Sequence, residues 1–195
     1  MQIKQAPALG SRHTLAFIKG FLKNPAGVSS VMPSSRFLER RVIDRAGIAQ
    51  ARVVVELGSG TGGTTRALLA AMRPDAKLLS IEIEPAFHAF VKDIDDDRLI
   101  AHLGSAADLP ELLAAYQLGA PDAVVSGIPF STIGHDIGSS IARAIGKALP
   151  KGGRFVAYQF RDHVAQVTRP VLGPETRETV VLCVPPLRVF SWRKA

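Results

Sequence analysis

Val53-Val54-Val55-Glu56-Leu57-Gly58-Ser59-Gly60-Thr61-Gly62-Gly63 passes from β-branched apolar residues to a glycine-rich turn within eleven residues. Such a run reads as a buried strand that enters a tight turn and then a helix. Glycines permit positive φ and remove the side chains that would block a ligand, and the helix that follows offers free N–H groups. Gly58, Gly60 and Gly63 also satisfy the dinucleotide spacing, which leaves a nicotinamide enzyme open. The discriminating residue is Glu56, two positions before the first glycine. Outward from this stretch, short apolar runs at 52–57, 77–83, 99–103, 123–126 and 154–160 alternate with helical patterns at 64–72, 85–93, 109–117 and 137–149. That alternation predicts parallel strands covered by helices. The end differs: 179–184 and 187–192 are strand-like runs separated by Pro185-Pro186, expected to close the sheet as an antiparallel pair.

Before residue 50 the pattern is helical. A segment at 11–23 places Arg12, Lys19 and Lys23 along one stripe and Phe17, Ile18 and Phe21 on the other side, before Asn24-Pro25-Ala26-Gly27 stops it. A second helix is expected to start at Ser34 or Ser35, as N-caps after Pro33, and to bury Phe37, Leu38, Val42 and Ile43. With 195 residues and 47% hydrophobic content, the chain suits one globular domain over 1–195, with a helical segment at 1–47 and a core at 52–195. Its apolar runs fall well short of the roughly 20 residues that cross a bilayer. The first residues lack an export-type apolar core, and the lone Cys183, in a β-branched run, fits a reducing cytoplasm and an inert core position. The net charge is +7. Residues 1–45 hold eight basic side chains against Glu39 and Asp44, and so carry six of those seven charges. A localised positive field of this kind suits phospholipid headgroups or nucleic acid.

Glu-Leu-Gly-Ser-Gly-Thr-Gly at 56–62 resembles the first motif of class I S-adenosylmethionine-dependent methyltransferases. The resemblance implies an α/β, Rossmann-like, doubly wound and mostly parallel seven-stranded sheet, with the C-terminal antiparallel pair and extra N-terminal helices. It also implies that Glu56, Gly58, Ser59, Gly60, Thr61 and Gly62 hold S-adenosylmethionine, with Glu56 at its amino-acid end. Glu82 ends the next strand in Leu79-Ser80-Ile81-Glu82-Ile83-Glu84-Pro85, where an acidic residue accepts hydrogen bonds from both ribose hydroxyls, and Ile83 adjoins it. In Gly104-Ser105-Ala106-Ala107-Asp108, related enzymes show Gly-Asp-Ala with the aspartate on the adenine amino group. Serine stands there in this chain, so that contact passes to backbone groups or to Asp108. Ser126, at the end of the fourth strand, completes the expected cofactor set.

The substrate is addressed by Ser126-Gly127-Ile128-Pro129-Phe130. Ribosomal RNA adenine-N6 methyltransferases carry Asn-Leu-Pro-Tyr or a close variant here, the asparagine accepting a hydrogen bond from the target amine; Gly127 has no side chain to do so. Ser-Gly-Ile-Pro-Phe instead resembles soluble bacterial phospholipid N-methyltransferases, which convert phosphatidylethanolamine towards phosphatidylcholine. Lys23-Asn24-Pro25, Val31-Met32-Pro33-Ser34-Ser35, Gly152-Gly153-Arg154-Phe155-Val156 and Pro185-Pro186-Leu187-Arg188-Val189-Phe190 extend this likeness over most of the chain. It implies a substrate set of Ser34, Ser35, Gly127, Ile128, Pro129 and Phe130, the serines on the lipid phosphate and Phe130 facing the methylated ammonium. Tyr158 and His135 are the candidates to take the amine proton. The 11–23 helix would bring its apolar face and Arg12, Lys19 and Lys23 to an anionic membrane surface, giving a cytoplasmic protein that binds membrane reversibly, or would fold over the cofactor. His13, His88, His102 and His163 form no metal-ligand pattern, and methyl transfer requires no metal. The alternatives are an RNA base methyltransferase, supported by a pI of about 10.0, and a non-catalytic membrane- or nucleic-acid-binding module of the same fold.

Overall fold

The computed structural model describes residues 33–180 and 187–195. The expected 11–23 helix with Arg12, Phe17, Ile18, Lys19, Phe21 and Lys23, together with Cys183 and Pro185-Pro186, lies outside the described residues. Helix α1 (Pro33–Ala46) leads through a 3-10 turn (Ile48–Gln50) to β1 (Val53–Leu57). Then follow α2 (Gly63–Ala71), β2 (Lys77–Glu82), α3 (Pro85–Lys92), β3 (Leu99–Leu103), α4 (Leu109–Ala115) and β4 (Ala123–Ser126). The chain continues with α5 (His135–Ala148), β5 (Arg154–Gln159), α6 (His163–Leu172), β6 (Thr176–Val180) and β7 (Leu187–Arg193).

The strands form one seven-stranded sheet in the order β3-β2-β1-β4-β5-β7-β6. β1 to β5 run parallel to one another, and β7 runs antiparallel to both β5 and β6. This is the doubly wound arrangement expected from the alternation of runs. β1 pairs with β2 on one side and β4 on the other, so the chain switches direction across the sheet at the carboxyl end of β1, where such folds bind ligands.

Alternation along each strand divides the core between two faces. Val55, Leu57, Leu79, Ile81, Val124 and Phe155 are buried under α4, α5 and α6; Val54, Leu78, Val125 and Val156 are buried under α1 and α2. Each such side chain contributes roughly 1.5–3 kcal/mol on burial. The carboxyl ends of the strands are therefore a rigid floor for the loops that carry chemistry.

Four local readings are corrected. Helix α1 starts at Pro33, so Ser34 and Ser35 lie inside its first turn instead of capping it; the fixed φ of proline suits that opening position. On the same helix Phe37 is 50% exposed, whereas Val42 is buried. Helix α6 had no counterpart in the sequence reading, because Pro170 interrupts an otherwise helical spacing of Val164, Ala165, Val167 and Thr168, all of them buried. Strand β6 opens at Thr176, earlier than its apolar run suggested, since an edge strand is free to place polar residues in solvent. No helix among the described residues is long and apolar enough to cross a membrane.

Candidate active site

The loop after β1 turns through Gly58, Gly60 and Gly62 at φ of 73°, 54° and 80°. These angles belong to the left-handed region, where only glycine is unstrained, so the loop requires its glycines for shape as well as for access. A Cβ built on Gly60 meets nothing within 4 Å. Backbone is therefore bare toward open space at the point where α2 begins. Thr61 supplies its carbonyl to the Arg66 guanidinium, which steadies the far side of the turn.

Two carboxylates hold this loop from below. Glu82, 6% exposed at the end of β2, accepts from the Gly60 amide at 3.0 Å through one oxygen. Its other oxygen accepts from the amides of Ile83 at 2.9 Å and Glu84 at 3.0 Å. Glu56, 1% exposed, accepts through one oxygen from the Thr65 hydroxyl at 2.7 Å and the Ser80 hydroxyl at 2.9 Å. Its Oε1 is buried and has no hydrogen-bond partner among the described residues, and neither has the buried Oγ of Ser59. Burial pushes the Glu56 carboxyl up to about 7 against those two hydroxyls, with the charge of Glu82 adding to the rise.

An unpaired carboxylate oxygen on Glu56 and an unpaired hydroxyl on Ser59, three residues further along the same turn, suit the two ends of a zwitterionic amino acid, the ammonium on Glu56 and the carboxylate on Ser59. Ile83, just past β2, and Leu103, the last residue of β3, are exposed at 64% and 46% and offer apolar surface to a planar base. The Gly104 amide bonds to the Glu82 carbonyl at 2.9 Å. Ser105 accepts from the Ala107 amide at 3.2 Å and so caps the short turn that buries Ala106. Asp108 is exposed. The chemistry of these groups suits S-adenosylmethionine, with carboxylates for its ammonium and ribose and apolar surface for its base.

The substrate motif leaves β4 beside this loop. Ser126 is fully buried, and its hydroxyl accepts from the Ile128 amide at 3.3 Å; Gln159 donates to the Ile128 carbonyl at 2.8 Å. A Cβ on Gly127 would stand 2.6 Å from the Tyr158 hydroxyl and 2.8 Å from the Gly58 carbonyl. No side chain fits there. The Tyr158 hydroxyl lies 3.0 Å from the Thr64 hydroxyl at the start of α2, so it is joined to the cofactor loop.

Several assignments need correction. Phe130 is 4% exposed and packs into the main core against Gly138, so it offers no aromatic face to a substrate. Burial pushes the Tyr158 phenol up to about 12, partly offset by its bond with Thr64, and the charges of Glu56 and Glu39 add to the rise. A phenol of that acidity keeps its proton at neutral pH and is no base. His135 opens α5 with its side chain 77% exposed beside Asp136, in solvent, without the burial that would fix it as a base. Pro129 is exposed, and its carbonyl accepts from the Thr132 hydroxyl at 2.9 Å. The side chains of Ser34 and Ser35 lie outside the described residues. No group of three or more potential metal ligands occurs among the described residues.

The sequence reading passed over Thr64, Thr65 and Ser80. The signal for Ser80 was present, as one hydroxyl inside Leu78-Leu79-Ser80-Ile81, directly opposite Glu56 in the register of β1 and β2. A polar residue in such a run needs a buried partner. A cavity of about 280 Å³ lined by Gly47, Asp122 and Arg154 lies at the other end of the strands, and Asp122 is already engaged there by the amides of Arg52 and Val53.

No protein-family model matches the chain. An ornithine lipid N-methyltransferase of Singulisphaera acidiphila is 29% identical over 141 residues, which cover 71% of this chain and 73% of that protein. A ribosomal RNA small subunit methyltransferase A of Phenylobacterium zucineum is 30% identical over 96 residues, 48% of this chain but 32% of that protein. Among solved structures, the N-methyltransferase NodS of Bradyrhizobium japonicum bound to S-adenosyl-L-homocysteine superimposes with a TM-score of 0.66 at 13% identity, over 85% of this chain and 89% of that one. The sheet order, the glycine loop with its two buried carboxylates, and these relatives agree: the chain has the Rossmann-like fold of the solved S-adenosylmethionine-dependent methyltransferases and is similar in sequence to a lipid N-methyltransferase.

Proposed function

We propose that this methyltransferase N-methylates a lipid amine at a membrane surface, with phosphatidylethanolamine, on the way to phosphatidylcholine, as the acceptor. The observation that carries the reading is at Gly127. The Tyr158 hydroxyl and the Gly58 carbonyl fill the space where an asparagine side chain would begin, so a planar nucleobase amine has no side-chain acceptor there to orient it. An alkyl amine needs none, because it is free to rotate about its own chain. The resemblance to an ornithine lipid N-methyltransferase supports the same class of acceptor.

When bound, S-adenosylmethionine supplies an electrophilic methyl group on a positively charged sulfur. The chain's own contribution is placement and exclusion of water. Glu82 fixes the Gly60 amide and with it the loop; Glu56 and Ser59 receive the amino-acid end; Gln159 pins Ile128 so that the motif borders the loop. The lipid ammonium would give its proton to solvent, and the loop and the Gly127 motif would hold the freed amine beside the bound methyl donor. Tyr158, protonated at neutral pH, serves as a hydroxyl wall to the acceptor pocket, not as a proton sink.

A second reading, methylation of an RNA base, draws on the similarity to the ribosomal RNA methyltransferase and on the positive charge. The test separates the two: purified protein and methyl-labelled S-adenosylmethionine are incubated with anionic vesicles containing phosphatidylethanolamine and, in parallel, with total RNA. Label in the lipid fraction supports the proposal, and label confined to RNA refutes it.

A further inference from the structure

Within residues 1–45, where eight cations stand against two acids, Glu39 occupies an inward position. It lies three and seven residues before Val42 and Ala46, both buried on the face of α1 that packs toward the sheet. It therefore continues the apolar stripe one turn further, toward the carboxyl ends of the strands. Leu38 and Tyr158 border the same cluster. Arg36 and Arg40 on the same helix are exposed, whereas Glu39 is half-buried. The cations of α1 that do pair, Arg41 and Arg45, turn to Glu178 on the edge strand; Glu39 makes no ion pair or hydrogen bond among the described residues.

Burial pushes the Glu39 carboxyl up, and the charge of Arg36 draws it back. Its charge reaches the Tyr158 phenol, the group that faces Gly127. A partly desolvated carboxylate without a partner costs stability where it stands, which suits a group that gains its partner on binding. Glu56 cannot serve the acceptor if its open oxygen takes the ammonium of the cofactor. Glu39 is the other carboxylate whose charge reaches Tyr158.

We propose that Glu39, set one turn before Val42 on the inner face of α1 against the cluster that Tyr158 borders, is the anionic partner of the acceptor's ammonium group and selects lipids whose headgroup ends in an alkylammonium. This rests on the lipid reading above and names the residue that recognises the headgroup. Phosphatidylethanolamine and an ornithine lipid share that chemistry.

The experiment compares the wild-type chain with Glu39→Gln and Glu39→Asp on anionic vesicles carrying either phosphatidylethanolamine or an ornithine lipid. S-adenosylmethionine binding is measured by calorimetry and stability by thermal melting on the same samples. The expected result for Glu39→Gln is a rise of about tenfold or more in KM for the amine lipid, with kcat within about threefold and unchanged cofactor affinity and melting temperature. Glu39→Asp, which keeps the charge, recovers part of the loss. An unchanged KM in Glu39→Gln overturns the inference, as does a loss that Asp fails to restore or that follows the melting temperature. Wild-type protein inert toward both lipids removes the lipid reading itself and this inference with it.

Discussion

At the scale of single residues, the site is governed by which polar atoms have partners. Glu82 has three amide donors and so is rigid before any ligand arrives. Glu82→Ala is expected to weaken S-adenosylmethionine binding by tenfold or more in calorimetry, because the loop loses its anchor and the ribose its acceptor. Glu56 is the reverse case, with one oxygen open and its carboxyl raised to about 7 from 4.5. For an acid raised by folding, the ionised form is disfavoured in the fold, so its contribution to stability falls as pH rises from about 4.5 to about 7. A cationic ligand group favours that ionised form. Cofactor affinity is therefore expected to drop toward tenfold per pH unit below about 7, and Glu56→Gln to bind more weakly at pH 8 but with a flattened pH dependence; a wild-type affinity that ignores pH in this range contradicts the assignment. At Gly127 the constraint is space: Gly127→Ala is expected to lose about 1–3 kcal/mol of stability in denaturant titration. Tyr158→Phe in the same chain should return part of it, since the hydroxyl is one of the two atoms in the way.

Elements carry these residues through register. Glu56 meets Ser80 because β1 and β2 pair Glu56 with Ser80, and Glu82 reaches Gly60 because β2 ends one loop away from the turn after β1. At the opposite end, Asp122 ties the start of β1 to the start of β4 through the amides of Arg52 at 2.7 Å and Val53 at 3.1 Å. Asp122→Ala is expected to cost about 1–3 kcal/mol in thermal or denaturant unfolding, while a strictly native melting curve would mean those amides find water at no cost. This scale also marks what was legible in the chain. The five parallel strands could be read because each is a mostly apolar run, buried on both faces in β1, β2, β4 and β5 and part-buried in the edge strand β3, and the glycine loop because a glycine turn at a strand end is a local pattern. Helix α6 escaped through one proline, and the polar start of β6 through its edge position. Phe130 misled because a motif fixes position along the chain, whereas the direction of a side chain depends on what packs above it; here α5 brings Gly138 against the ring. Tyr158 could be placed near the site, but its acidity depends on burial and on Glu56 and Glu39, residues far from it in sequence.

For the whole molecule, charge distribution is the deciding property. Six of the seven net positive charges belong to residues 1–45, so the charge is concentrated in one stretch of the sequence. If this charge recruits the protein to lipid, methyl transfer to phosphatidylethanolamine should rise with the anionic fraction of the vesicle and fall steeply between low and physiological salt, where screening acts within about 10 Å. Rates indifferent to both would show that the charge serves another purpose. The central claim, that the acceptor is a lipid amine, is tested most directly in cells that make the chain in the absence of any other lipid methyltransferase, by mass spectrometry of their total lipid extract beside that of cells making Glu82→Ala. The account predicts amine lipids heavier by one or more methylene units with the wild-type chain and none with the variant. An unaltered lipid profile alongside newly methylated RNA would contradict it.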